Sequence, residues 1–162
     1  MCGIAGIMTK NGSHPTNQII GDFAKALEHR GPDGAGRYLL NDTAFVQTRL
    51  AIIDLATGDQ PFFVQNELDE SPLALIANGE IYNYLELKQQ LPDAVFKSQS
   101  DCELPLFLYQ KYGIDYARHL RGMYSIAIHD PVKDRLVLSR DPFGIKPLYY
   151  AFTPDGFIFS SE

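Results

Sequence analysis

Cysteine stands second in the chain, directly behind Met1, in the stretch MCGIAG. Removal of an initiator methionine is usual when the next residue is small. A processed chain then carries a thiol and a free α-amine on one residue. Such an amine titrates at about 7.7–8.0 and a thiol at about 8.5. At neutral pH part of the amine is an unprotonated base beside a nucleophile, which is the logic of N-terminal nucleophiles. The alternative is a small hydrophobe that opens a buried strand.

Four further stretches carry residue types suited to the same chemistry. In NGE (78–80), the Asn78 amide and the Gly79 N–H can converge on one oxygen and stabilise an oxyanion; a plain Asn-Gly turn is the alternative. In RLAIIDL (49–55), Arg49 is a lone guanidinium in an apolar run, suited to a two-pronged grip on a carboxylate. Otherwise it lies on an exposed strand face or pairs with Asp54. In SDCE (100–103), Asp101 stands at a helix start, either as the N-cap or as a partner for a substrate ammonium. SRDPFGIKPLYY (139–150) reads as a proline-stiffened hairpin connection, or as a frame around a site. The four histidines, His14, His29, His119 and His129, form no metal-like cluster and none pairs with Ser or Cys in a familiar spacing. His29, in the glycine-rich HRGPDG, reads as a residue that orders its loop.

Elements must hold these residues. CGIAGIM reads as a short strand. TNQIIGDFAKALEH reads as a helix capped by Thr16 or Asn17. HRGPDGAG, with three glycines and a proline in eight residues, reads as a loop. GRYLL, AFVQTRLAIIDL, QPFFVQ and LALIAN read as strands. NYLELKQQL and CELPLFLYQKYG read as helices, the second with Pro105 in its first turn and Gly113 as its stop. MYSIAIHD, RLVLSRD, PLYYAF and GFIFSS are strands again, with turns at DPVKD and TPDG. Strands, then helices, then strands predict an α+β fold of mainly antiparallel sheets, packed together with helices outside.

The 162 residues predict one domain, 1–162, long enough for a real core. A net charge of −6 argues against a nucleic-acid partner or an anionic membrane surface, each of which needs a basic patch. No apolar run approaches a membrane span, and no basic-then-apolar leader opens the chain. Two cysteines make no disulfide framework and no CxxC occurs. A reducing cytoplasm is the expected setting, because it keeps a thiol at position 2 free.

Taken together and in this order, MCGIAGI, HRGPDG, RLAIIDL, NGEIYNY, SDCE and RDPFGIKPLYY resemble the N-terminal glutaminase domain of glutamine-hydrolysing asparagine synthetases. That domain is a class II glutamine amidotransferase of the N-terminal-nucleophile hydrolase type. The resemblance spans the whole chain, and Glu80 after Asn-Gly points to the asparagine-synthetase branch. It implies a four-layer αββα sandwich. It implies Cys2 as nucleophile, Asn78 and Gly79 as the oxyanion hole, Arg49 on the glutamine α-carboxylate and Asp101 on its α-ammonium. Leu50, Ala51, Ile52, Ile53 and Glu80 would complete the pocket, and HRGPDG resembles a flap that closes over glutamine. No metal or cofactor is implied for this domain; ATP and Mg belong to a synthetase domain, either a covalent continuation or a separate chain. A homodimer of the full-length protein is compatible with the resemblance.

Two departures stand out. Gln47 occupies a place where the family often has His, two residues before the arginine. No SGGxDS motif occurs and the sequence stops at FSSE, so a fragment or a split protein is expected. The readings kept open beside ammonia supply for asparagine synthesis are ammonia supply to another acceptor and a non-catalytic docking module.

Overall fold

The protein is described by a computed structural model covering residues 1–10, 12–50, 58–65 and 71–162. Nine strands form two antiparallel sheets among these residues. The first sheet joins β1 (Gly3–Thr9), β2 (Gly34–Leu40), β3 (Thr43–Arg49), β8 (Tyr149–Thr153) and β9 (Gly156–Ser160) in the order β2-β3-β1-β9-β8. The second joins β4 (Phe62–Val64), β5 (Leu73–Ile81), β6 (Gly122–Asp130) and β7 (Arg135–Arg140) in the order β4-β5-β6-β7.

Side-chain alternation makes these sheets into layers. On β1 and β3, Ile7, Ala44 and Val46 pack with Ile20 of α1 (Asn17–Leu27). The opposite faces carry Ile4 and Phe45, which meet Ala74, Ile76 and Ala127 of the second sheet. The far side of β5 and β6 carries Leu75, Ile126 and Ile128, packed against Leu104 and Leu108 of α3 (Leu104–Tyr112) and Leu87 of α2 (Tyr84–Gln89). Three apolar layers therefore separate helix, sheet, sheet and helix, which is the expected αββα sandwich. Among the described residues no helix is long and apolar enough to cross a membrane.

Most predicted elements appear with modest shifts. Thr16 caps α1 by accepting from the Ile19 N–H at 3.3 Å. Pro105 sits in the first turn of α3, and Gly113 ends it at φ 58°. The turns at DPVKD and TPDG join the antiparallel pairs β6–β7 and β8–β9.

Two expectations change. The connection 141–148 is no hairpin: β7 lies in the second sheet and β8 in the first, so the segment crosses between sheets. Asp141 organises that crossing, accepting from the N–H groups of Tyr124, Phe143, Ile145 and Lys146 at 2.9–3.2 Å. HRGPDGAG is also more ordered than a glycine-rich loop suggests. A 3-10 turn covers Glu28–Arg30 and β2 begins at Gly34. The long strand expected over 44–55 is β3 as far as Arg49; residues 51–55 lie outside the described ones.

Candidate active site

The ends of β1, β3 and β5 open onto one cleft, lined by Cys2, Gln47, Arg49, Leu50, Gln60, Asn78, Gly79, Glu80, Asp101, Cys102 and Lys146 among others. Register explains why. On the first sheet Ile4 lies opposite Gln47 and Gly3 opposite Thr48, so Cys2 falls beside Arg49. Cys2 and Ile4 share a face, as do Phe45, Gln47 and Arg49. On the second sheet Ala74, Ile76, Asn78 and Glu80 share the face that looks back at them. Each strand passes from apolar core to polar cleft along one line of side chains.

The two cysteines separate cleanly. Cys2 is partly exposed, and its Sγ meets the Leu50 backbone, 3.4 Å from the N–H nitrogen and 3.6 Å from the carbonyl oxygen. Cys102 is buried, and its Sγ lies against the Gly79 carbonyl at 3.5 Å. Burial, with Asp101 and Cys2 nearby, pushes the Cys102 thiol well up. Cys2 is therefore the thiol fitted to attack a ligand in the cleft.

Asn78-Gly79 is not a turn. Both residues lie inside β5, opposite Ser125 and Tyr124. A Cβ on Gly79 would stand 2.3 Å from the Met123 carbonyl oxygen, so the close approach of β6 requires glycine. The open edge of β5 does the rest. β4 pairs only with residues 73–75. Beyond them the Gln60 side chain takes both polar groups of Ala77, accepting from its N–H at 2.6 Å and donating to its carbonyl at 3.1 Å. Asp101 Oδ2 accepts from the Ile81 N–H at 2.5 Å. Alternate residues of a strand present their N–H to the same side. The Gly79 N–H thus points to this edge, between two occupied positions and towards the cleft. Asn78 Nδ2 is buried with no hydrogen-bond partner among the described residues. These are two donors suited to an oxygen that gains charge.

Asp101 does not cap its turn; Ser100 does, accepting from the Cys102 N–H at 3.2 Å. Asp101 is 4% exposed. Burial pushes its carboxyl up, its backbone hydrogen bonds pull it back, and Glu80 adds to the rise. No ion pair to Asp101 occurs among the described residues. Glu103 shapes the approach by accepting from the N–H groups of Lys97 and Ser98 at 2.9 and 2.8 Å.

Arg49 is buried on an interior strand, not on an exposed edge face, and it pairs with Asp59, which is 83% exposed. Asp54, the partner expected from sequence, lies outside the described residues, as do Ala51, Ile52 and Ile53. Leu50 reaches Cys2, through its backbone. HRGPDG does not line the cleft. It packs behind β3, with the Asp33 N–H on the Arg49 carbonyl at 3.0 Å and His29 on Glu162 at 2.8 Å.

Three contributors, Arg30, Gln60 and Asp59, escape a reading of residue types. Arg30 Nε donates to the Cys2 carbonyl at 3.3 Å and steadies the nucleophile's backbone. Lys146, from the stretch also read as a frame around a site, does line the cleft, with Nζ 3.5 Å from Met1 Sδ. Gln60 and Asp59 come from a segment with no chemical motif. The visible signal for Gln60 is Gly36, where a Cβ would meet the Gln60 carbonyl oxygen at 1.7 Å. Among the described residues no three His, Cys, Asp or Glu side chains group as a metal site.

Comparison with known proteins identifies the family. Residues 1–162 match the family model described as a glutamine amidotransferase domain. The chain is 42% identical over 167 residues to asparagine synthetase [glutamine-hydrolyzing] 2 of Bacillus subtilis, covering 100% of this chain and 22% of that protein. It is 43% identical over 173 residues to a probable asparagine synthetase [glutamine-hydrolyzing] of Schizosaccharomyces pombe, covering 100% of this chain and 29% of that one. The chain thus spans less than a third of the length of these relatives. Among solved structures, the glutamine phosphoribosylpyrophosphate amidotransferase of B. subtilis matches with a TM-score of 0.79 at 22% identity, over 99% of this chain and 42% of that one. At that identity the likeness is one of fold.

Proposed function

Because the chain belongs to the glutamine amidotransferase family, we propose that the cleft hydrolyses the side-chain amide of glutamine to glutamate and ammonia. The observation that carries this is the convergence of an N-terminal thiol, a two-donor oxygen site and opposite charges in one cleft. Arg49 suits the α-carboxylate and Asp101 the α-ammonium, which holds the side chain towards Cys2. Leu50 and Glu80, with Ala51, Ile52 and Ile53, complete the substrate pocket in this reading.

With Met1 removed, the Cys2 thiol attacks the amide carbon. Its own α-amine takes the thiol proton and returns it to the departing nitrogen. The C–N bond breaks, ammonia leaves, and a γ-glutamyl thioester remains. Asn78 Nδ2 and the Gly79 N–H hold the oxyanion of each tetrahedral step. Water then cleaves the thioester, giving glutamate and the free thiol. No metal or cofactor enters these steps.

The names of the relatives and their greater length support a further proposal. The ammonia serves asparagine formation in an ATP- and magnesium-using synthetase domain, continuous with this one or on a separate chain. We place the reaction in the cytoplasm, where both unpaired cysteines stay reduced.

The test is glutamate release from glutamine by the chain shown to lack Met1 by intact-mass spectrometry. Cys2→Ala abolishes release; an active Cys2→Ala chain overturns the assignment. Full turnover by a chain that keeps Met1 overturns the role of the α-amine.

A further inference from the structure

Four buried side-chain nitrogen or oxygen atoms have no hydrogen-bond partner among the described residues: Arg30 Nη2, Gln47 Nε2, Asn78 Nδ2 and Ser125 Oγ. Only two of these side chains, Gln47 and Asn78, line the cleft beside Cys2. A buried donor without an acceptor carries a standing cost, and a ligand that brings an acceptor removes it. For Asn78 the mechanism supplies that acceptor. Nothing so far accounts for Gln47, which is 1% exposed.

Its place in the fold narrows what it meets. Gln47 lies opposite Ile4 on β1 and two residues before Arg49 on the same face of β3. It stands one step deeper than the carboxylate grip and diagonal to Cys2. It looks across the cleft at the face of β5 that carries Asn78. A substrate held by Arg49 at one end, with its reacting carbon at Cys2, extends inward along this line. Two orphan donors, one from each sheet, then flank the reacting group.

We propose that Gln47 is a further catalytic residue: its Nε2 donates to the side-chain carbonyl oxygen of bound glutamine, and to the oxyanion formed from it, as a third donor beside Asn78 and Gly79. This rests on the glutaminase reading. A histidine at this position would keep a side-chain N–H donor, the imidazole, in place of the amide.

The test uses Gln47→Leu, which keeps the volume and removes the donor, with Gln47→Met as the same comparison should leucine not fold. Loss of one oxyanion donor predicts a fall in kcat of about 100- to 1000-fold with KM changed by less than about threefold. Thermal stability stays level or rises, because a buried unpaired amide is gone. Gln47→His regains most of the lost kcat. A merely structural Gln47 predicts the reverse pattern, with stability lost and kcat of the folded fraction unchanged. The proposal is overturned if folded Gln47→Leu turns over within about twofold of the native chain, well inside the loss typical of an oxyanion donor, or if Gln47→His is as slow as Gln47→Leu. A native chain that releases no glutamate overturns the functional reading itself; an active native chain with an unimpaired leucine variant overturns only this role.

Discussion

Replacing Asp101 by Asn isolates the charge proposed to select an α-amino acid. Asp101 is 4% exposed, with no ion-pair partner among the described residues and a carboxyl pushed up by burial. Its firm contact is the Ile81 N–H at 2.5 Å. An Asn carbonyl accepts from the same N–H, so the strand edge survives. What disappears is the charge offered to the glutamine ammonium. A hydrogen bond to a charged group contributes about 1.5–3 kcal/mol. At about 1.4 kcal/mol per tenfold, KM rises by roughly 10- to 150-fold with a smaller change in kcat. The sign of the pH effect follows from the raised carboxyl. Native 1/KM falls as pH drops through the Asp101 pKa, above the ordinary carboxylate value of 3.8, and Asp101→Asn lacks that limb. A raised folded pKa also means that Asp101 contributes stability below its unfolded pKa and loses it as pH rises through the folded one. At neutral pH Asp101→Asn is therefore as stable as the native chain or more so. Steady-state glutamate release followed downward from neutral pH with native and variant chains reads KM and the acid limb, and thermal unfolding at neutral pH reads the stability. An analogue of glutamine lacking the α-amine discriminates further, because native and variant chains should handle it equally poorly. The reasoning fails if Asp101→Asn keeps a native KM for glutamine, or if the variant shows the native acid limb.

Two further outcomes follow from ion pairs and buried acceptors. Asp59 pairs with the Arg49 guanidinium proposed to hold the substrate carboxylate but is 83% exposed, so the pair contributes only about 0–1 kcal/mol. Asp59→Asn therefore lowers KM by up to about fivefold at low salt, and a salt titration of KM shows the gain shrinking as ionic strength rises. At Asp141, burial raises the carboxyl, but four backbone N–H donors outweigh it and hold it below the ordinary range. Its stabilisation is present above its unfolded pKa and is lost as pH falls through the lower folded one. Asp141→Ala costs about 2–4 kcal/mol at neutral pH, lowering Tm by roughly 4–16 °C, and calorimetry shows the gap to the native chain closing in strong acid.

Much of the fold is legible because period and punctuation are strong along this chain. Thr16 before an apolar 3.6-residue pattern, Pro105 inside a helix start and Gly113 at its end are local signals, and the structure places each in that role. Less legible are the pieces whose partners are remote. The 141–148 segment has hairpin chemistry, yet it crosses between sheets: it leaves β7 of the second sheet and ends on Leu148, which packs in the same apolar layer as Leu138, before β8 joins the first sheet. Gln60 carries no motif; its value comes from lying against Gly36 of one sheet while its side chain completes the edge of β5 in the other.

The sequence alone determines which groups are available and in what order: a thiol behind Met1, a lone guanidinium, an amide before a glycine and a carboxylate near a helix start. It leaves each with an ordinary alternative, because turn, cap and core roles draw on the same residue types. Tertiary structure decides among them by register and burial. Asn78-Gly79 is strand and not turn because β6 lies too close for a side chain at 79. Asp101 is a buried charge and not a cap because Ser100 already caps. Cys2 meets Arg49 because antiparallel pairing sets them side by side, and Gln47 gains a part because the same face of β3 carries it into the cleft.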